Sequence, residues 1–209
     1  MRLPLLSILA AATLAACSGD RSDRHVTVAG AGAFAAGDRS VVENRLADDS
    51  VFGFLHPAPM IAVRGDRLDV RVAAVSDPDD ALRFLLSHQG RFAATGESGQ
   101  VWFDQADIAD VQPQMGPEGQ FVLRFRLTSD GGRRLARFAT DQAVGSHMVL
   151  KLDDDTLVTA TLAGPLGGGS FQVGVARPLS ELFLIARVIH SGALSVRPSE
   201  VTVTSGPAT

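Results

Sequence analysis

Cys17 is the only cysteine among 209 residues, and it is the side chain best placed for chemistry. A lone thiol makes no internal disulfide. It closes the stretch Leu14-Ala15-Ala16-Cys17, which ends a short apolar run, Leu3–Ala16, behind Arg2. A charged start, an apolar middle and small residues before a cut are the layout of a secretion signal. A cut before Cys17 leaves a good nucleophile for acylation at the new N-terminus. Two blander readings stand beside this one. One is an ordinary signal peptide with a chance cysteine. The other is a membrane anchor, which needs about 20 apolar residues, more than this run offers.

Other residue groups carry weaker chemistry. Gly164-Pro165-Leu166-Gly167-Gly168-Gly169-Ser170 lacks the Gly-Lys-Ser/Thr ending and the strand-to-helix setting of a phosphate loop. It reads as a connector between strands, with Gly164, Gly167, Gly168 and Gly169 as a flexible surface for peptide contact. Asp153, Asp154 and Asp155 are hard oxygen ligands of the kind calcium takes, but the later glycine and glutamate of an EF-hand are missing. A solvated hairpin turn explains them. His25, His56, His88, His147 and His190 are scattered, without a His-x3-His spacing, and no second cysteine offers zinc a soft ligand. Neither a Gly-x-Ser-x-Gly elbow nor a Ser-x-x-Lys signature is present. The expectation is a protein with no metal, no cofactor and no catalysis. Phe121 and Phe125 alternate as core residues do. Phe52, Phe54 and Trp102 fall near expected loops or edges, where a contiguous apolar patch would suit an extended peptide.

The elements that position these groups follow from pattern. Leu14, Ala15, Ala16 and Cys17 resemble the lipobox of a lipoprotein signal peptide. Removing residues 1–16 leaves about 190 residues, enough for one medium domain or two small ones. The formal charge of −4 argues against nucleic acid as a partner. Leu182–Ile189 is too short, and too broken by Arg187, to cross a bilayer. Residues 17–24 read as a tether. His25–Phe34 reads as a strand and Asp38–Leu46 as a short helix. Ile61–Arg64 and Leu68–Val72 form a hairpin around Gly65-Asp66-Arg67. Ser76–Asp80 opens a helix through Leu86, with capping side chains, a proline and carboxylates at its positive end. Arg91–Thr95 and Gln100–Phe103 are strands, and Asp104–Met115 is ambiguous, with a helical turn at Asp107–Asp110. Gln120–Leu127 alternates as a half-buried strand. A helix capped by Thr128 or Ser129 runs toward Ala143. His147–Leu152, Thr156–Ala163 and Ser170–Val175 are strands. Pro178–His190 is a helix stopped by Gly192. Leu194–Val196 and Val201–Val203 close an α+β fold, with helices on one face of antiparallel sheets.

From Phe125 to Val175 the chain resembles the first large periplasmic domain of SecD, a protein-export subunit. The resemblance rests on the step Phe125–Thr128, Phe138 and Thr140 of the helix, Gly145, the hairpin at Asp153, and Gly167-Gly168 before a strand. His190–Leu194, Val42–Leu46, Val70–Leu85 and Gly90–Phe92 extend it over nearly all of the chain after Cys17. The family's proline after the second hairpin strand is missing, with Ala160-Thr161 in its place. The resemblance implies a ferredoxin-like base, residues 25–102 with 176–209, carrying an inserted α+β head, residues 103–175. The family's transmembrane helices have no counterpart here, so this stretch is not expected to couple a proton gradient to transport.

The expectation is therefore a non-enzymatic envelope lipoprotein held at a membrane through lipid on Cys17 and facing the periplasm. Ser18 after the cysteine favours the outer membrane over the inner. Its implied partners are unfolded polypeptides or Sec translocase components, with open strand edges as the route of contact. The alternative is a structural or regulatory lipoprotein that keeps the fold without an export role.

Overall fold

Alternation sets the first sheet. In β1 (Ser22–Gly30), Val26 and Val28 point inward while His25 and Thr27 point out. β3 (Arg67–Ala74) buries Leu68, Val70 and Val72 in the same way. With β2 (Met60–Arg64) and β11 (Pro198–Ser205) these form an antiparallel sheet in the order β11-β1-β3-β2. The computed structural model describes residues 22–47, 58–74, 77–117, 119–141, 145–161 and 169–205. Gly65, at φ 61°, makes the β2–β3 turn. The helices α1 (Asp38–Arg45) and α2 (Asp79–Ser87) pack on the apolar face of this sheet, with Val42, Leu82, Leu85 and Leu86 in the core. Omitting what lies between α2 and β11, the elements run strand, helix, strand, strand, helix, strand. That is the order by which a ferredoxin-like base is described.

The segment between α2 and β11 builds two more antiparallel sheets. One has the order β5-β4-β8-β9, from β4 (Phe92–Gly96), β5 (Val101–Asp104), β8 (His147–Leu152) and β9 (Asp155–Thr161). The other has the order β10-β7-β6, from β6 (Ile108–Met115), β7 (Phe121–Leu127) and β10 (Ser170–Gly174). Aromatic rings join the two. Phe92 lies 5.4 Å from Phe125 and Phe103 5.5 Å from Phe171 across the two sheets, while Phe125 and Phe171 stack at 5.0 Å within the second, all centroid to centroid. These distances fall within the favourable range for ring pairs. Helix α3 (Ser129–Asp141) begins with the Thr128 hydroxyl accepting the Gly131 N–H at 3.1 Å. It buries Leu135 and Ala139. Helix α4 (Leu179–Ser191) buries Leu182, Leu184, Ile185, Ala186, Val188 and Ile189 and packs against α1, α2 and β6. A helix buried on so many sides joins layers instead of covering one. No helix among the described residues is long and apolar enough to cross a membrane.

Several local expectations change. The residues from Ser22 to Arg24, read as the end of a tether, are already in β1, where Ser22 is in register with Ala74 and Arg24 is buried. β4, within the residues 25–102 read as base, and β5, which straddles the 102/103 boundary, are hydrogen-bonded into one sheet with β8. The ambiguous Asp104–Met115 forms a single 3-10 turn at Gln105–Asp107 and then strand β6. Leu194–Val196 is irregular, and the closing strand starts at Pro198. Trp102 is not at a surface. It is 1% exposed and stacks on half-buried Phe138 at 6.0 Å. Its indole nitrogen has no hydrogen-bond partner.

Candidate functional site

The place where the chain leaves α2 and returns from α4 is built around one cation. Arg45 ends α1 and is fully buried. Its guanidinium donates to the carbonyls of Leu85 (2.8 Å), His88 (2.6 Å) and Gln89 (2.8 Å), where the chain leaves α2. It also donates to the Ser191 Oγ (3.1 Å) and the Gly192 carbonyl (3.0 Å), where the chain returns from α4. The last carbonyls of a helix have no partner within the helix, and two helix ends share this one fork of donors. Burial lowers the Arg45 pKa to about 10, so it keeps its charge at neutral pH. The two crossings also bond each other. Leu194 N–H donates to the Gln89 carbonyl at 2.8 Å, and the Gln89 side-chain amide donates to the Leu194 carbonyl at 3.1 Å. Gly90 (φ 92°) and Gly192 (φ 96°) supply left-handed turns on either side.

Next to this junction a groove of about 620 Å³ opens between α1, α4 and β6. Its walls are Asn44 from α1 and Ala47 just after it, Phe183, Ala186, Arg187 and His190 from α4, and Asp110–Pro113 from β6. Arg187 braces it by donating to the Ala47 carbonyl at 2.8 Å. Gln105 ties the strand side to α4 through a 2.6 Å bond to the Ile189 carbonyl. Among the described residues β6 has a strand neighbour on one side, β7. Pro113, which cannot donate to a ladder, suits such an edge. The groove thus combines a strand that has no second strand neighbour among the described residues with apolar contacts at Val111, Pro113, Phe183 and Ala186 and a polar rim. Such features suit extended backbone, with room for alternate side chains. They carry no nucleophile–base pair.

A second concavity, of about 560 Å³, lies on the uncovered face of the first sheet, among His25, Thr27, Met60, Arg64, Arg67 and Arg71. Asp69 pairs there with Arg67 at 2.8 Å and with Arg64 at 3.7 Å. The lining is polar and cationic, with Arg64, Arg67 and Arg71 against Asp69, and offers less apolar surface to a polypeptide.

The residues singled out in the sequence fall elsewhere. Cys17, Gly164, Gly167, Gly168, Phe52, Phe54 and His56 lie outside the described residues. Gly169 is described. It sits at φ 68° beside α3, where its carbonyl accepts the Leu127 N–H at 2.7 Å. That is at the β10 edge, with β7 between it and β6, so it is not part of the groove. Asp153 is not merely a solvated turn residue. At φ 55°, its carboxylate accepts the N–H groups of Gly90 and Arg91, both at 2.8 Å. Asp154 pairs with Arg197. Asp77 accepts the Asp79 N–H at 3.3 Å as a helix-start residue does, but the Asp79 carboxylate goes to Arg24 of β1 at 2.7 Å. No cluster of three or more His, Cys, Asp or Glu able to hold a metal occurs among the described residues. The sequence reading missed Arg45, Phe183 and the β6 edge. The proline within an otherwise alternating Val111-x-Pro113-x-Met115 was the available signal for an edge strand.

The comparisons bear on the family and the fold. Residues 85–196 match the family described as SecDF, P1 head subdomain. The chain is similar to "Protein translocase subunit SecD" of Acidaminococcus fermentans, with 25% identity over 140 residues, 66% of this chain and 33% of that protein. It is similar to the protein of the same name from Leptotrichia buccalis, with 24% identity over 163 residues, 76% of this chain and 39% of that protein. The chain therefore spans about a third of the length of these relatives. Among solved structures, it is similar in fold to the "Crystal structure of SecDF in Super-membrane-facing form". The TM-score is 0.71 at 18% identity, covering 87% of this chain and 30% of that one. It is also similar to "Structure and function of a membrane component SecDF that enhances protein export". There the TM-score is 0.68 at 18% identity, covering 84% of this chain and 98% of that one.

Proposed function

The chain belongs to the family of the SecDF P1 head subdomain, and on that footing we propose that it is a non-enzymatic envelope lipoprotein that holds extended polypeptide and assists protein export. The observation that carries this reading is the open edge of β6 along a partly apolar groove. A strand edge offers backbone N–H and C=O groups to any sequence, so it suits an unfolded client without demanding a motif. The relatives' names support an export setting, since one is a translocase subunit and another a component that enhances export. Sec translocase components are the proposed protein partners. Lipid on Cys17 would hold the domain at a membrane on the periplasmic side, with the outer membrane favoured by Ser18. Lipid anchoring is stable when several acyl chains act together.

Two experiments test this. Cys17→Ser should move the protein from the membrane to the soluble envelope fraction, and the wild type should carry the mass of bound lipid. An unmodified Cys17 in intact-mass measurement would remove the anchor from the account. The full chain, titrated with a permanently unfolded protein and with its folded form, should bind the unfolded one at micromolar affinity or weaker, roughly −8 kcal/mol at best. Equal affinity for both, or binding of neither, would leave the structural or regulatory reading in its place.

A further inference from the structure

We propose that Arg45 is a positioning residue for the β6–α4 groove: it touches no client, and it sets the distance between the wall that α1 supplies and the walls that α4 and β6 supply. This rests on the reading of the groove as a polypeptide site. Three observations place it there. First, Arg45 is the last residue of α1, between groove-lining Asn44 on its last turn and groove-lining Ala47 two residues beyond its end. Its own side chain points the other way, into a fully buried site. Second, its hydrogen bonds to Ser191 and Gly192 fix the end of α4 one residue beyond groove-lining His190. Third, its bonds to the carbonyls of Leu85, His88 and Gln89 fix α1 to the end of α2 as well, so the wall cannot move without breaking both sets.

The oxygens around Arg45 are carbonyls and a hydroxyl. An attraction between opposite charges tolerates sliding, because it falls off slowly with distance. A planar fork of N–H groups on neutral acceptors loses its bonds within a fraction of an ångström and some tens of degrees. Space is tight as well. A Cβ built on Gly90 would lie 2.4 Å from the Arg45 Nη2 and 3.0 Å from the Gly192 carbonyl oxygen. The guanidinium therefore has one seat, and the α1 wall takes its position from that seat. Arg187, donating to the Ala47 carbonyl, is the brace on the groove side. Arg45 is the brace on the buried side.

The test uses the full chain with Cys17→Ser, spin-labelled at Glu43→Cys on α1 and Met115→Cys at the end of β6, and compares Arg45 with Arg45→Lys and Arg45→Gln. The proposal expects one narrow distance distribution with Arg45. Arg45→Gln should broaden or shift it and weaken binding of a permanently unfolded protein about tenfold, with unchanged far-ultraviolet circular dichroism. Arg45→Lys, which keeps the charge but not the planar fork, should fall between. If Arg45→Gln does not fold, the same two readouts are taken on Arg45→Lys, where a shifted distribution with weakened binding is required. A folded variant whose distances and affinity both match those of Arg45 overturns the proposal. If the wild type binds no unfolded protein, the groove reading fails, while the distance distributions still decide whether Arg45 sets the wall.

Discussion

Two buried arginines hold this molecule together in different ways. Arg24, on β1, is served by carboxylates: Asp79 at 2.7 Å and Asp77 at 3.5 Å. Arg45, at the junction, is served by neutral oxygens from two helix ends. The first arrangement reaches solvent, since the Asp77 side chain is 76% exposed and that of Asp79 32%. Losing it leaves carboxylates that water can reach. The second is dry, and losing it leaves carbonyls facing each other with nothing to donate. A buried polar group without a partner costs far more than an exposed one. The charge in β1 is therefore a local fastening, and the charge at the junction is a structural centre.

Removing each cation separates the two most sharply. Arg45→Leu should cost about 3 kcal/mol or more, from unsatisfied carbonyls in a dry site. That is a large share of a typical stability of roughly 5–15 kcal/mol. Chemical denaturation of the variant beside the wild type measures it, and a loss below that of Arg24→Leu would break the contrast. Gly90→Ala comes next, at about 2 kcal/mol, because a Cβ meets the Arg45 guanidinium and φ is 92°. Gly99→Ala, at φ 81° with nothing within 4 Å, separates backbone strain from crowding and should cost about 1 kcal/mol. Equal melting shifts for the two glycine variants would show that Arg45 has room to move. Arg24→Leu should cost about 1 kcal/mol, because Asp79 rehydrates.

The smallest effect is in pH. The Asp77 carboxyl is held below the ordinary aspartate range, first by the Asp79 N–H and then by Arg24. A depressed folded-state pKa gives stability that is present above the unfolded value and lost as pH falls through the folded one. Acidification below the ordinary aspartate range should therefore loosen the Arg24 contact, while Arg45, with a pKa of about 10, keeps its charge throughout. Carboxyl-carbon NMR titration should find the Asp77 midpoint below that of a free aspartate. In Arg24→Leu the midpoint should move only part of the way back, because the Asp79 N–H remains.

Much of this fold was legible in the residues. The Asp-Pro start of α2, the Thr128 start of α3, Gly192 after α4 and the hairpin at Gly65 all stand where the pattern put them. Each is set by short-range chemistry: a cap, a fixed φ, a positive φ. β6 was not legible, because its apolar face carries a proline in place of a strand-forming residue and its alternation is interrupted at the Ile108–Asp110 register shift. Trp102 was misplaced because Val101-Trp102-Phe103 is apolar throughout, and a period of two cannot say which face is covered. Arg45 was invisible for a different reason. Its acceptors come from residues 40 to 147 positions away, so no local pattern marks it as buried.

One measurement tests the central claim most directly. A photo-activated crosslinking residue is placed at Gln112 on β6, or at Gln172 on β10. Both side chains are exposed, and both residues pair across the same Arg124 of β7. Exposure and chemistry are matched, and only the groove differs. Irradiation with a permanently unfolded protein should crosslink the full chain through Gln112 and leave Gln172 at the background set by the folded form of the same protein. Equal yields at the two positions, or a higher yield at Gln172, would contradict the assignment of the β6 edge as the polypeptide site.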